Sequence, residues 1–344
     1  MTARGAGGAG RMLAWRVHAY GGPADLRLER ARVPALRAPD QLLVRVRAAS
    51  INPLDPAMTG GYGARVLQWL RAADGGPADG GVEFPLVCGR DFAGTVVRAG
   101  PHARLRVGAR VWGVLPPHHP GAHAQYALVR DRWAGPAPSA LDEASCGGAP
   151  YAGLTACAAV RAAGAGAGAG ARVLVLGLGG VGQAAVQVLA ARGARVAVSC
   201  APEQAELARE LGALEVVPRD HGPGQAQYAA VLDCAGLGGA SRWSERGARY
   251  VTLSSPLLRE TDARGLAAGG AAAALQLLAQ NARAGRACPP AVRWAYFAAR
   301  ADDLEQLRRL AERGRVSTFF SLLPFVAKQM ISTYTCRRPL NKTR

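Results

Sequence analysis

The strongest chemical signal in the chain is a run of closely spaced glycines. Gly177-Leu178-Gly179-Gly180-Val181-Gly182 has the G-x-G-x-x-G spacing, follows an apolar run at 173–176 and precedes a charge-free stretch able to form a helix. Each glycine has a physical reason to be there in a dinucleotide-binding turn. Gly177 permits the tight turn, Gly179 lets backbone approach a pyrophosphate, and Gly182 lets helix pack closely on strand. The pyrophosphate would lie on unpaired N–H groups at the positive end of the helix dipole. An NAD site places Asp or Glu about 20 residues further on, at the end of the second strand, to bind the ribose 2′-hydroxyl. That place is occupied here by Val198-Ser199-Cys200, with no acid. Ser199 could donate to a 2′-phosphate. Arg219, after the third strand, is either the partner of that phosphate or a solvated surface charge. The pattern predicts NADPH as cofactor over NADH.

No other group of residues offers so clear a chemistry. The cysteines at 88, 146, 157, 200, 234, 288 and 336 are odd in number and contain no C-x-x-C pair, so neither a disulfide framework nor a zinc ribbon fits, and buried free thiols are expected. The histidines at 18, 102, 118, 119, 123 and 221 show no metal-ligand spacing, and His118-His119 reads as a loop pair, so no metal site is expected. The chain carries a net charge of +18, and all but Lys328 and Lys342 of its 42 cationic residues are arginine. The arginines are scattered, with no run of five and no interleaved aromatic platform. This pattern argues against a nucleic-acid partner and for attraction of anionic small molecules.

The elements that must position the glycine turn follow from periodicity. From residue 172, apolar strand-like runs (173–176, 195–198, 214–217, 229–232, 250–253, 292–297) alternate with helical segments (181–192, 202–211, 302–313), which implies a doubly wound parallel sheet. Residues 13–135 look different, with short alternating strands at 42–46, 92–97 and 109–114 separated by Gly and Pro. The Gly-Ala repeat at 162–171 reads as a flexible connector. The 344 residues, 49% of them hydrophobic, suffice for two domains with a core each. The stretch 173–191 is interrupted by its glycine turn and is not a transmembrane segment. Residues 1–11, with arginine and no acid, resemble part of a mitochondrial transit peptide.

The segments AASINPLD (48–55), GGYGA (60–64), EFPLVCGRDFAG (83–94), VGARVWGVLPP (107–117), PYAGLTAC (150–157), VLDCAG (231–236), ARYVTLSSP (248–256) and VRWAYF (292–297), together with the glycine turn, resemble the medium-chain dehydrogenase/reductase superfamily in its quinone oxidoreductase branch. The resemblance implies an α/β protein with a GroES-like β-rich catalytic domain (12–136) and a Rossmann domain (137–314), the active site lying in the cleft between them. It implies an NADPH-dependent reductase of quinone-type small molecules, linked to coenzyme Q metabolism in the mitochondrial matrix. Residues 315–344 would form an atypical tail in place of the segment that returns to the catalytic domain. The zinc branch of the superfamily needs Cys near position 52 and Gly-His-Glu near Gly89; Asn52-Pro53 and Gly89-Arg90-Asp91 stand there, and the four-cysteine loop is missing. Zinc-independent hydride transfer is expected.

Residue by residue, the resemblance implies that Gly179, Gly180, Val181, Cys200, Arg219 and Cys234 line the adenosine and phosphate side. Leu253, Ala295 and Phe297 would approach the nicotinamide, with Thr155 at the domain junction. Asn52 and Asp55 would face the nicotinamide, Asn52 orienting the cofactor or bonding a carbonyl oxygen, unless Asn52-Pro53 is only a structural turn. Tyr62 would donate a proton or stack on a ring, unless it merely packs in its loop. Residues 317–344 lack glycine and contain both lysines and three of the six phenylalanines, which points to a different coding origin. Such an end favours a second function class, a catalytically silent scaffold binding a reticulon-type membrane protein.

Overall fold

The computed structural model describes residues 10–74, 83–218, 227–240, 243, 248–283 and 291–314. The expectations for Arg219 and for residues 315–344 lie outside these. The chain opens with a hairpin of β1 (Arg11–Arg16) and β2 (Arg27–Arg32). A five-stranded antiparallel sheet follows, from β3 (Gln41–Ala48), β4 (Asp91–Ala99), β5 (Arg110–Val114), β6 (Tyr126–Arg130) and β7 (Ala134–Pro136), ordered β6-β3-β4-β5-β7. Period-2 patterning turns Leu42, Val44, Phe92, Val96, Val111 and Val129 into one core. Between β3 and β4 lie two short helices, α1 (Leu54–Thr59) and α2 (Ala64–Ala73).

After α3 (Glu143–Gly148) and α4 (Pro150–Ala163), the chain builds a six-stranded parallel sheet. Its strands are β8 (Arg172–Leu176), β9 (Arg195–Ser199), β10 (Glu215–Val217), β11 (Ala230–Asp233), β12 (Arg249–Thr252) and β13 (Val292–Trp294). The order β10-β9-β8-β11-β12-β13 is the 3-2-1-4-5-6 order of the Rossmann fold. Helices cover the sheet: α5 (Gly180–Ala191), α6 (Ala205–Glu210), α7 (Leu257–Arg264), α8 (Leu266–Arg283) and α9 (Ala301–Glu312). Strands covered on both faces read as unbroken apolar runs, and all of 173–176 is indeed buried. The principal core passes from Trp112 and Val114 of the antiparallel sheet through Leu154 and Cys157 of α4 to Val173 and Val175 of the parallel one.

Two expectations are corrected. The Gly-Ala stretch is no flexible connector: α4 runs through Ala163, a 3₁₀ turn continues over Gly164–Ala167, and Ala163 and Ala167 are core residues. The helix expected over 202–211 is a 3₁₀ turn, Pro202–Gln204, followed by α6.

Candidate active site

The glycine turn sits where the strand order reverses, between β8 and α5. Gly177 has φ +89°, a backbone conformation that side chains with a Cβ rarely adopt, and a Cβ there would also stand 2.7 Å from that of Ala235. A Cβ on Gly182 would collide with the carbonyl oxygen of Gly177 and stand 3.0 Å from its carbonyl carbon. Gly179 is different. Its φ is −73°, it is exposed, and a Cβ there would meet nothing within 4 Å. The fold therefore requires glycine at 177 and 182 and leaves open the space beside 179. The first N–H groups of α5, those of Gly180, Val181 and Gly182, lack intrahelical acceptors by construction, and Gly180 directly follows the residue beside that space. A pyrophosphate fits this cradle.

Four other expected cofactor residues share one position in the architecture. Cys200, Cys234, Leu253 and Ala295 each follow directly on the last residue of β9, β11, β12 and β13. They thus stand at the carboxyl ends of the strands, the side on which open α/β sheets bind ligands, with Cys200 and Ala295 themselves buried. Burial pushes the Cys234 thiol up to about 12, so it stays protonated. Ser199 departs from expectation: its buried hydroxyl donates to Pro218 O at 3.0 Å, holding β10 against β9, and so is not free for a phosphate. Sequence reasoning also missed Asp233. Its carboxylate accepts from Leu237 N (3.0 Å), Gly238 N (3.1 Å) and Tyr250 Oη (2.7 Å), and so shapes the loop after β11 that faces the turn.

In the antiparallel-sheet half, residues 50–55 and 89–91 fold onto one another. Asp55 is fully buried; its carboxylate accepts from Asn52 N and Gly89 N, each at 2.7 Å, and lies 3.9 Å from Arg90 Nε. Arg90, also fully buried, donates to Pro116 O (2.8 Å), His119 O (3.1 Å) and Val87 O (3.1 Å). Gly89 has φ +95°, and a Cβ there would stand 2.8 Å from His123 N, so the turn requires glycine. Asp91 ties this cluster together. It accepts from Ser50 Oγ, from Tyr151 N and, at 2.7 Å, from Asn52 Nδ2. Burial pushes its carboxyl up to about 7 against these donors, and the charge of Asp55 adds to the rise. Asn52 Nδ2 also donates to Ser50 Oγ at 2.9 Å. Both amide hydrogens of Asn52 are thereby taken, and the carbonyl oxygen Oδ1 is the end left to meet a ligand. Asn52 is arranged to accept a hydrogen bond, not to donate one to a substrate carbonyl.

Tyr151 joins the two sides. Its N–H meets Asp91, and its ring stacks on Phe297 with centroids 4.4 Å apart and planes at 25°. Phe297 stands three residues beyond the end of β13, so the chain of contacts runs from Asn52 through Asp91 and Tyr151 to the segment after β13. Thr155 is turned inward, its hydroxyl donating to Tyr151 O at 2.7 Å. Tyr62 is half-exposed, and no hydrogen bond joins it to the Asn52 cluster. It precedes a clasp in which Asp262 of α7 accepts from Gly63 N (2.6 Å) and Arg65 N (3.2 Å), fastening the start of α2 to the parallel-sheet domain. Burial and the charge of Asp262 raise the Tyr62 hydroxyl above its ordinary value, which keeps it protonated at neutral pH.

Residues 38–139 match the alcohol dehydrogenase GroES-like domain. The chain is 36% identical over 355 residues to the Drosophila melanogaster protein named NAD(P)H oxidoreductase RTN4IP1, mitochondrial, covering 94% of this chain and 84% of that one. The chain belongs to the RTN4IP1 family. To the human member it is 32% identical over 325 residues, covering 89% of this chain and 81% of that one. This member of the family is an oxidoreductase. The solved structure of a Coxiella burnetii quinone oxidoreductase has the same fold, with a TM-score of 0.72 at 20% identity over 95% of this chain and 98% of that one. No helix among the described residues is long and apolar enough to cross a membrane.

Proposed function

We propose that this RTN4IP1-family chain reduces quinone-type acceptors with NADPH, without a catalytic metal, in the mitochondrial matrix and in connection with coenzyme Q. The observation that carries the cofactor assignment is the glycine turn, where open space beside Gly179 meets the start of α5. The preference for NADPH rests on the absence of an acid in Val198-Ser199-Cys200 and on the +18 net charge, which attracts an added phosphate. The relatives' names, with NAD(P)H and mitochondrial in them, support cofactor and compartment.

Two-electron reduction of a quinone requires a hydride and a proton. Bound NADPH would supply the hydride. The chain's own groups place, shield and protonate. The backbone of Gly179, Gly180 and Val181 holds the pyrophosphate, and Cys200, Cys234, Leu253 and Ala295 line the crevice along which the dinucleotide lies. Asn52 Oδ1, its amide fixed by Asp91 and Ser50, accepts a hydrogen bond and orients the ring. The stacked Tyr151 and Phe297 keep water from that end of the cleft. Tyr62, held protonated at the cleft edge, donates the proton. Metal independence is supported by side-chain chemistry: where the zinc branch has thiolate and imidazole ligands, this chain has the amide of Asn52 and the guanidinium of Arg90, which offers no lone pair to a cation. A quinone is already electrophilic and needs no Lewis acid.

The test is NADPH oxidation at 340 nm with a short-chain ubiquinone analogue, before and after chelator treatment. Quinone-dependent turnover that survives chelation is expected; turnover restored only by added zinc would refute metal independence. For partners, the Caenorhabditis elegans relative named reticulon-4-interacting protein 1, 29% identical over 315 residues, supports a reticulon-type membrane protein beside the small-molecule acceptor.

A further inference from the structure

We propose that Asp74, His118 and His119 form a zinc site on the GroES-like domain, remote in role from hydride transfer. The histidine spacing alone gives no hint of it, because the third ligand comes from 44 residues earlier in the chain. Two adjacent imidazoles converge on a single carboxylate oxygen: Asp74 Oδ2 lies 3.3 Å from His118 Nε2 and 2.9 Å from His119 Nε2. All three ligand atoms lie within 4.8 Å of one another. Around a tetrahedral zinc with bonds of about 2.1 Å, neighbouring ligand atoms stand roughly 3.4 Å apart. The three atoms need only small movements to meet a common ion, and a fourth position would remain for water. Two imidazoles and a carboxylate form a ligand set suited to zinc.

The surroundings hold this arrangement in place. Arg71 Nε donates to His118 O at 3.1 Å, and Arg90 donates to both Pro116 O and His119 O, so the loop carrying the two rings is anchored by buried guanidinium groups. The His119 ring packs against Trp133 (centroids 4.6 Å apart) and against His118 (4.5 Å). Asp74 caps the end of α2. Three arginines act electrostatically on the rings, and a cation would be repelled if they stood alone. Each faces its own carboxylate instead: Arg71 with Glu83 at 2.7 Å, Arg90 with Asp55 at 3.9 Å, Arg130 with Asp40 at 4.0 Å. Asp74 is left to balance the ion. Bound zinc would tie the end of α2, whose start carries the clasp to α7, to the loop between β5 and β6.

The full chain is stripped with chelator, equilibrated with zinc chloride at neutral pH and dialysed. Metal content is measured by mass spectrometry and stability by thermal melting. Wild type is expected to retain one zinc per chain and to melt higher with it. Asp74→Asn, His118→Asn and His119→Asn should each weaken zinc binding at least about tenfold, the scale on which zinc-site supporting groups act, and remove the zinc-dependent rise in melting temperature. Each variant's zinc-dependent rise is read against its own metal-free melting, because the metal-free chain already joins Asp74 to both rings. His18→Asn, outside the cluster, should change nothing. Equal zinc retention by wild type and the three variants, or none by any, overturns the proposal. If a variant fails to fold, cobalt(II) on wild type decides: visible bands of a tetrahedral nitrogen–oxygen site support it, and thiolate charge-transfer bands overturn it by assigning the metal to cysteine.

Discussion

Two alanine substitutions in the glycine turn separate what the fold needs from what a cofactor needs. At Gly182 an added Cβ would collide with backbone of Gly177, and α5 must move away from β8. Overpacking of this kind costs about 1–3 kcal/mol. At Gly179 the Cβ enters open space at an ordinary φ of −73°. Alanine is a poorer N-cap than glycine, but it also restricts the unfolded chain, so the net change in stability should stay within about 1 kcal/mol. The methyl group would then occupy the volume proposed for the pyrophosphate. The assay pairs urea denaturation with fluorescence titration of NADPH. Gly182→Ala should lose both stability and affinity. Gly179→Ala should unfold like wild type yet bind NADPH at least about tenfold more weakly, a loss of about 1.4 kcal/mol. Unchanged affinity in Gly179→Ala would refute the reasoning, because no phosphate could then lie against that backbone.

Asp55→Asn leaves the wholly buried Arg90 without its carboxylate, and urea denaturation should show a loss of about 3–5 kcal/mol. Asp91, pushed up to about 7 from an ordinary 3.8, favours the folded state most when protonated, so its contribution is full at low pH and is lost as pH rises through about 7. Between pH 5 and pH 8, wild type should therefore lose more melting temperature than Asp91→Asn; equal losses would mean that Asp91 is not the group responsible. A double-mutant cycle on Tyr151→Ala and Phe297→Ala should give a coupling of about 0.5–1.5 kcal/mol from their stacked rings.

The parallel-sheet half was legible because its signals are local. A strand buried on both faces must be an apolar run, and the glycine turn announces where the first helix begins. The hairpin of β1 and β2 was not legible. Arg27, Arg30 and Arg32 give β2 the look of a solvated segment, and it is a strand because β1 pairs with it in register, Trp15 opposite Leu28. Helix α4 also escaped notice. It is buried nearly all round, so no polar stripe marks its period, and Gly153 is there to let Leu307 of α9 approach. In the site, Asn52 could be singled out from its segment, but its orientation could not. That is set by Ser50 and by Asp91, 39 residues on, and only the folded chain shows that the amide hydrogens are taken. The partner of Ser199 is likewise invisible in its own segment, because the acceptor of its hydroxyl is Pro218 O, 19 residues on. Ligand sets assembled from distant segments, such as Asp74 with His118 and His119, have no sequence period to reveal them.

The most direct test of the central claim is a fluorescence titration of the purified chain with NADPH and, separately, NADH. Saturable binding of NADPH, tighter than that of NADH, is the predicted result. Failure of both nucleotides to bind saturably at millimolar concentration would contradict the account.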